Sequence, residues 1–95
     1  MTIAQFQKLI EDIYFGKDSD RGIDANFVWF VEEVGELSRA IKRGTVEEQA
    51  GEFADVLAWL TTMASIQGID LQEAAKAKYE HGCPKCGGCP CRCGA

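Results

Sequence analysis

Two apolar segments of the chain carry acidic residues at helical spacing. The first is V-E-E-V-G-E-L at 31–37, and the second is E-F-A-D-V-L-A-W-L at 52–60. Burying a carboxylate costs free energy unless a positive charge accompanies it. Oxygen ligands with no Cys or His among them select Mg²⁺, Mn²⁺ or Ca²⁺ over zinc. The two segments therefore predict a site for a hard divalent cation, suited to holding the phosphates of a nucleotide.

Helical projection places these acids beside the apolar stripes rather than opposite them. At about 100° per residue, the acids of each segment lie at positions i and i+3, flanking a stripe that should face the core. If the two helices pack side by side, four carboxylates converge on one partly buried spot. A second interpretation is that each pair is an ordinary solvated helix face. The four candidate acids are Glu33, Glu36, Glu52 and Asp55.

Apolar periodicity and capping residues predict four helices and the elements that position the acids. No alternating strand pattern occurs, and both prolines lie in the C-terminal tail. The predicted fold class is therefore all-α, a small helical bundle. The helices are predicted from Thr2 to Gly16, from Asp24 or Asn26 to Gly44, from Thr45 to Gly68 and from Asp70 to about Glu80, with a polar loop over 16–22.

Composition restricts the classes of protein to consider. With 95 residues, 46% of them hydrophobic and 26% charged, the chain is a single globular domain. So short a chain is marginally stable alone, which favours a homo-oligomer. A net charge of −5 argues against nucleic acid or an anionic membrane as the main partner. No apolar run is long enough to span a membrane and no signal peptide is evident, so we expect a cytoplasmic protein.

The acidic segments resemble a known family. Glu32-Glu33-Val34-Gly35-Glu36-Leu37 followed by Glu52-Phe53-Ala54-Asp55-Val56-Leu57 is similar to the E-E-x-x-E…E-x-x-D signature of the MazG-like nucleotide pyrophosphohydrolases. The likeness covers residues 1 to about 80, which leaves 81–95 as a separate Cys-rich tail. It implies a homo-dimeric or homo-tetrameric all-α enzyme that uses Mg²⁺, or Mn²⁺, to cleave a nucleoside triphosphate between its α and β phosphates. A role in cleansing the nucleotide pool would follow.

The resemblance also implies roles for individual residues. The Mg²⁺ ligands would be Glu33, Glu36, Glu52 and Asp55, which are the acids that helical projection selects. Glu32 projects outward and is assigned only a supporting role, such as a salt bridge to a neighbouring helix. A carboxylate not fully engaged with metal would accept a proton from water. The candidates for that proton acceptor are Glu48 and Glu36.

Four other side chains are candidates for substrate binding, and three of them have a simpler structural alternative. Lys78, on the inner side of the fourth helix, either reaches phosphate or extends past the core to solvent. The two tryptophans beside the acids, Trp29 and Trp59, either stack on a base or only pack. Arg21, in the predicted loop, contacts phosphate.

All five cysteines lie in the tail, in the pattern C-P-K-C-G-G-C-P-C-R-C. Four thiolates hold one Zn²⁺ tetrahedrally, and the most plausible set leaves Cys89 spare. Because the second cysteine pair follows so closely on the first, the loop would be strained or the metal shared between subunits. The alternative is a disordered, redox-active tail. The chosen ligands are Cys83, Cys86, Cys91 and Cys93.

Two functions of different class remain open from the sequence. The first is the metal-dependent pyrophosphohydrolase. The second is a non-catalytic nucleotide-binding or regulatory module that acts through its Cys-rich tail. A di-iron carboxylate bundle is disfavoured because Glu-x-x-His pairs are absent. Base preference, sugar preference and the choice between ordinary and damaged nucleotides are not encoded in any motif.

Overall fold

The computed structural model describes residues 1–94, which form four helices joined by short connections. The second and third helices form a hairpin, the first packs mainly on the third, and the short fourth helix contacts the first. No strand occurs within residues 1–94, so the all-α prediction is confirmed. In chain order the helices are α1 (Ile3–Arg21), α2 (Ile23–Arg43), α3 (Val46–Ile66) and α4 (Leu71–Tyr79).

Three of the four helices begin at the residues that the capping pattern predicts. At the start of α3, the Thr45 hydroxyl accepts a hydrogen bond from the Glu48 N–H at 3.1 Å, and the Glu48 carboxylate accepts one from the Thr45 N–H at 3.1 Å. Thr2 begins α1 with the same capping box. The Asp70 carboxylate accepts from the Glu73 N–H at 3.0 Å and caps α4. These local bonds satisfy backbone donors that a helix start leaves free.

The loop predicted over 16–22 is wrong, because α1 continues to Arg21. A glycine inside a helix costs only about 1 kcal/mol relative to alanine, which packing readily offsets. The offset here comes from Asp18, which is buried, pairs with Arg21 at 3.1 Å and accepts from the Thr62 hydroxyl of α3 at 3.4 Å. The chain turns one residue later, at Gly22, whose φ of 87° few other residues adopt.

Most of the fully buried side chains of one chain are polar, among the residues described. Ile10 is its only buried hydrophobic residue among those described. Gln7 joins three helices: its Nε2 donates to Ser65 Oγ at 3.0 Å and to the Ile69 carbonyl at 2.9 Å, and its Oε1 accepts from the Leu71 N–H at 2.9 Å. A bundle with so small an apolar core needs further burial to be stable.

The apolar stripes of α2 and α3, which we expected to form the core, are largely exposed in the single chain. The faces on which α2 and α3 contact each other carry their tryptophans and acids, so the apolar stripes face away from that contact. Within residues 1–94, no helix is both long and apolar enough to cross a bilayer. The exposed stripe residues are Phe27, Val31, Val34 and Ile41 of α2 and Phe53, Leu57 and Leu60 of α3.

Candidate metal centre between the second and third helices

A pair of tryptophans fixes how α2 and α3 face each other. Trp29 and Trp59 stack with ring centroids 6.2 Å apart and planes 7° from parallel. The Arg21 guanidinium lies 6.0 Å from the centroid of the Trp29 ring, within cation–π range. The two indoles thus pack on each other, and their use as a platform for a base remains a prediction.

Three carboxylates from the two helices meet next to this stack. Glu33 and Glu36 of α2 and Glu52 of α3 each offer an oxygen, and these oxygens lie within 4.8 Å of one another. The Oε2 atoms of Glu33 and Glu52 are buried without a hydrogen-bond partner. Buried acceptors of this kind are costly unless a cation or a donor satisfies them. The donor set therefore suits a hard divalent cation, and these residues fit such an ion.

The electrostatics of the cluster agree with its geometry. Burial raises the pKa of Glu33 above the ordinary value of a glutamate, and the negative charges of Glu36, Asp55 and Glu52 raise it further. Burial likewise raises the pKa of Glu52, with added repulsion from Glu36 and Asp55 and partial relief from Arg39. Repulsion and desolvation of this kind mark a site where a cation would be strongly attracted.

Asp55, the fourth predicted acid, lies at the margin of this cluster. It is exposed and stands outside the set of oxygens that converge within 4.8 Å, although its charge raises the pKa of both Glu33 and Glu52. It lines both the cavity and the groove described below. Asp55 therefore lies between the acidic cluster and the spaces where a substrate would sit. Glu32 is exposed, in keeping with its outward projection.

Glu48, a candidate proton acceptor, is engaged in the cap of α3. Its carboxylate accepts the Thr45 N–H, and the hydrogen bonds to Thr45 lower the pKa of Glu48. A carboxylate held this way is a weaker base than the glutamates of the cluster. Glu48 does line, together with Glu36, Glu52 and Asp55, a groove of about 540 Å³ on the α2–α3 hairpin.

A cavity of about 230 Å³ separates α1 from α3 beside the cluster. Its wall combines two cations, Lys17 and Arg21, with Tyr14 and the Trp59 indole. Sequence reasoning selected Arg21 and Trp59 but missed Lys17 and Tyr14. The available signal was the i, i+4 spacing of Lys17 and Arg21, which places both on one helix face only if the helix continues past Gly16.

Lys78 lies elsewhere. It is exposed on α4, its Nζ lies 5.7 Å from the centroid of the Tyr79 ring, and it lines neither this cavity nor the groove. A role for Lys78 in phosphate binding remains a prediction.

The tail holds a second convergent group of ligand atoms. The four sulfurs chosen from the sequence all lie within 4.8 Å of one another in a single chain, so no second subunit is needed to gather them. Between residues 81 and 94 the backbone adopts positive φ only at Gly82 and Gly87, where glycine tolerates it, which removes the strain expected for so short a loop. The four residues are Cys83, Cys86, Cys91 and Cys93.

Most of the chain is similar to one family of enzymes: the family model of the MazG nucleotide pyrophosphohydrolase domain matches residues 21–87. The matched segment contains α2, α3, α4 and the four predicted acids, and it extends into the tail beyond Cys86. No curated protein matches the chain.

Proposed function

This chain belongs to the MazG nucleotide pyrophosphohydrolase domain family, and we propose that it hydrolyses nucleoside triphosphates to a nucleoside monophosphate and pyrophosphate with Mg²⁺, or Mn²⁺, as cofactor. The observation that carries the proposal is the convergence of three carboxylates, two of them with a buried oxygen that nothing in the chain satisfies. Cleansing of the nucleotide pool would be the physiological purpose.

The ligands of the metal would be Glu33, Glu36 and Glu52, with Asp55 completing the set from the margin. When bound, Mg²⁺ neutralises phosphate charge and polarises the phosphorus for attack. The buried oxygens of Glu33 and Glu52 hold the deep side of the site. The exposed Glu36 and Asp55 face the groove from which a triphosphate would approach.

The chain's own cations would position the phosphates. Lys17 and Arg21 line the cavity next to Asp55, so a triphosphate bridging cluster and cavity would meet them directly. Arg21 is also held by Asp18, which fixes the direction of its guanidinium. Trp59 would form the apolar wall on the nucleoside side. Orientation of this kind accounts for much of the catalysis in phosphoryl transfer.

Glu36 is our choice for the group that accepts the proton of the attacking water, through the carboxylate oxygen that does not bind the metal. It is exposed and lines the groove, whereas the other candidate, Glu48, is engaged with Thr45. Water would attack the α phosphorus, the bond from that phosphorus to the oxygen bridging to the β phosphate would break, and pyrophosphate would leave with that oxygen. The proton released from the water passes to Glu36.

The working form would be a homo-dimer or tetramer. Phe27, Val31, Phe53 and Leu57 of the exposed stripes are between 40% and 55% exposed in the single chain. Exposed apolar surface on this scale marks an interface. Residues 1–94 include one buried hydrophobic residue, so a stable fold needs such an interface. A cytoplasmic location is part of this proposal, because closely spaced Cys-x-x-Cys pairs are typical of metal sites in reducing compartments.

Pyrophosphate release from a panel of ordinary and damaged triphosphates tests the proposal. The wild-type protein should release pyrophosphate with Mg²⁺ and not with EDTA, and Glu52→Gln should abolish release because it removes a charged ligand. Nucleotide binding by the wild-type protein without pyrophosphate release under any condition would overturn the proposal. That result would favour the non-catalytic module.

A further inference from the structure

The sulfur atoms of the tail are spaced as a metal would require. Cys83 Sγ lies 3.7 Å from Cys93 Sγ and 3.6 Å from Cys91 Sγ, and Cys86 Sγ lies 3.9 Å from Cys91 Sγ. In a tetrahedral site with Zn–S bonds of about 2.3 Å, each sulfur–sulfur edge is about 3.8 Å long. Disulfide sulfurs, by contrast, are about 2.05 Å apart. The observed separations therefore match the edges of a zinc–thiolate tetrahedron.

Backbone amides point at these sulfurs. The N–H groups of Arg92 and Gly88 donate to Cys86 Sγ at 3.2 Å and 3.4 Å, and the Cys93 N–H donates to Cys91 Sγ at 3.3 Å. Such outer contacts orient thiolate ligands and offset their negative charge. They form because the backbone wraps around the sulfurs.

Glycines make this close wrapping feasible. A Cβ at Gly88 would lie 2.6 Å from the Pro90 carbonyl oxygen, and one at Gly82, where φ is 103°, would lie 2.9 Å from the Gly87 carbonyl oxygen. Two backbone bonds close the turn: the Cys83 N–H donates to the Gly88 carbonyl at 3.0 Å, and the Gly87 N–H to the Cys83 carbonyl at 2.7 Å. The tail is thus a tight loop built around its sulfurs.

We propose that Cys83, Cys86, Cys91 and Cys93 bind one Zn²⁺ in a closed tetrahedral site that folds the tail. Cys89 lies outside the set and is exposed. The proposal goes beyond the hydrolytic function, because these soft sulfur ligands select a different metal from the oxygens of the acidic cluster. With all four positions taken by protein, the ion has no place for water or substrate, so its role is structural.

Metal analysis of the full-length protein tests this site without reference to activity. Protein purified under reducing conditions and dialysed against excess Mg²⁺ should retain one zinc per chain. Replacement by Co²⁺ should give the absorption typical of tetrahedral thiolate coordination. Cys86→Ser and Cys93→Ser should each lower zinc affinity at least about tenfold, because even the loss of an outer-shell partner of a metal ligand costs about 10–100-fold. The matched control Cys89→Ser should keep full occupancy.

A second variant keeps the proposal falsifiable if cysteine variants misfold. Gly88→Ala leaves every ligand in place, and its Cβ would collide with the Pro90 carbonyl, so it should weaken zinc binding while α-helical content is unchanged. Iron in place of zinc, equal zinc loss in Cys89→Ser, or disulfides under reducing conditions would overturn the proposal. Glu33→Gln should keep its zinc even though it loses hydrolysis. Zinc content and hydrolysis therefore test the zinc site and the hydrolytic function separately.

Discussion

Glu33 of α2 and Glu52 of α3 each hold Oε2 out of solvent with no hydrogen-bond partner, and their carboxylates lie within 4.8 Å of each other and of Glu36. Two like charges so placed destabilise the helix pair that carries them. A fold retains such an arrangement where function requires it. The stability of the protein should therefore differ between the metal-free and the metal-bound state.

Removing one of these charges should stabilise the protein without metal. Glu33→Gln eliminates the repulsion with Glu36, Glu52 and Asp55, so its melting temperature in EDTA should exceed that of the wild type. The same variant should gain little stability from Mg²⁺. It should lose at least about a hundredfold in hydrolysis, because even the loss of an outer-shell partner of a metal ligand costs about 10–100-fold. Thermal unfolding with and without Mg²⁺ measures the first two effects.

Glu47→Gln is the matched control. Glu47 is exposed in the first turn of α3 and lines neither the cavity nor the groove. Its melting temperature and Mg²⁺ response should stay near those of the wild type. If Glu33→Gln responds to Mg²⁺ as strongly as the wild type does, Glu33 is not a ligand.

The pH dependence of stability should have an unusual sign. The pKa values of Glu33 and Glu52 are raised in the folded state, so at a pH above the ordinary glutamate value the folded chain binds more protons than the unfolded chain. Their contribution is therefore favourable at low pH and is lost as pH rises through the folded-state pKa values. Most folded proteins show the opposite contribution from paired carboxylates.

Unfolding scans in EDTA across about pH 4 to pH 7 should show this loss, and Glu33→Gln should show less of it. Mg²⁺ competes with the proton for these oxygens, so its stabilising effect should grow over the same interval. A Mg²⁺ effect that is independent of pH would place the ion at some other site.

Local sequence signals predicted where helices begin. They did not predict where α1 ends, because that depends on contacts between helices. The capping boxes at Thr2 and Thr45 depend on residues three apart, so their position is readable from the chain alone. The continuation of α1 through Gly16 depends on Asp18 and its contact with Thr62, 44 residues away. No local pattern reveals that contact.

The meeting of acids from α2 and α3 was also predictable in part. Helical projection predicted a shared wedge of Glu33, Glu36, Glu52 and Asp55, because spacing on one helix fixes a face, and the oxygens of the first three do converge. It did not reveal that Asp55 lies at the margin, since that depends on the packing angle of α2 and α3. Nor did it show that the apolar stripes are largely exposed in the single chain, since that also depends on how α2 and α3 pack.

Gly16→Ala tests the corrected boundary of α1. A Cβ at Gly16 meets nothing within 4 Å, and the residue lies inside the helix, so alanine should raise the free energy of unfolding by about 0.5–1 kcal/mol. The matched contrast is Gly22→Ala, where φ is 87° and alanine should cost at least about 1 kcal/mol. Urea denaturation measures both. Equal effects at the two positions would restore the loop interpretation.

Lys17 and Arg21 should contribute to substrate affinity rather than to metal binding. Lys17→Gln and Arg21→Gln each remove a cation from the cavity wall beside Asp55, and each should raise the KM for a triphosphate about tenfold, since a hydrogen bond to a charged group contributes about 1.5–3 kcal/mol. Lys42→Gln, an exposed site in the last turn of α2, serves as the control. Unchanged KM values in both cavity variants would exclude this cavity as the phosphate site.

The exposed apolar stripes should be the surfaces that join copies of the chain. Phe27 of α2 is 55% exposed in the single chain, and burying the exposed part of its ring against a partner should contribute about 1–1.5 kcal/mol, roughly half the value for full burial of a phenylalanine. Phe27→Glu should therefore dissociate the oligomer and lower the melting temperature by roughly 10 °C, given the size of the chain. Val46→Glu, at an 81% exposed position where an acid suits the start of α3, should change neither property. Size-exclusion chromatography coupled to light scattering measures the oligomeric state. A wild-type protein that is already monomeric at micromolar concentration would show that these stripes do not join copies of the chain.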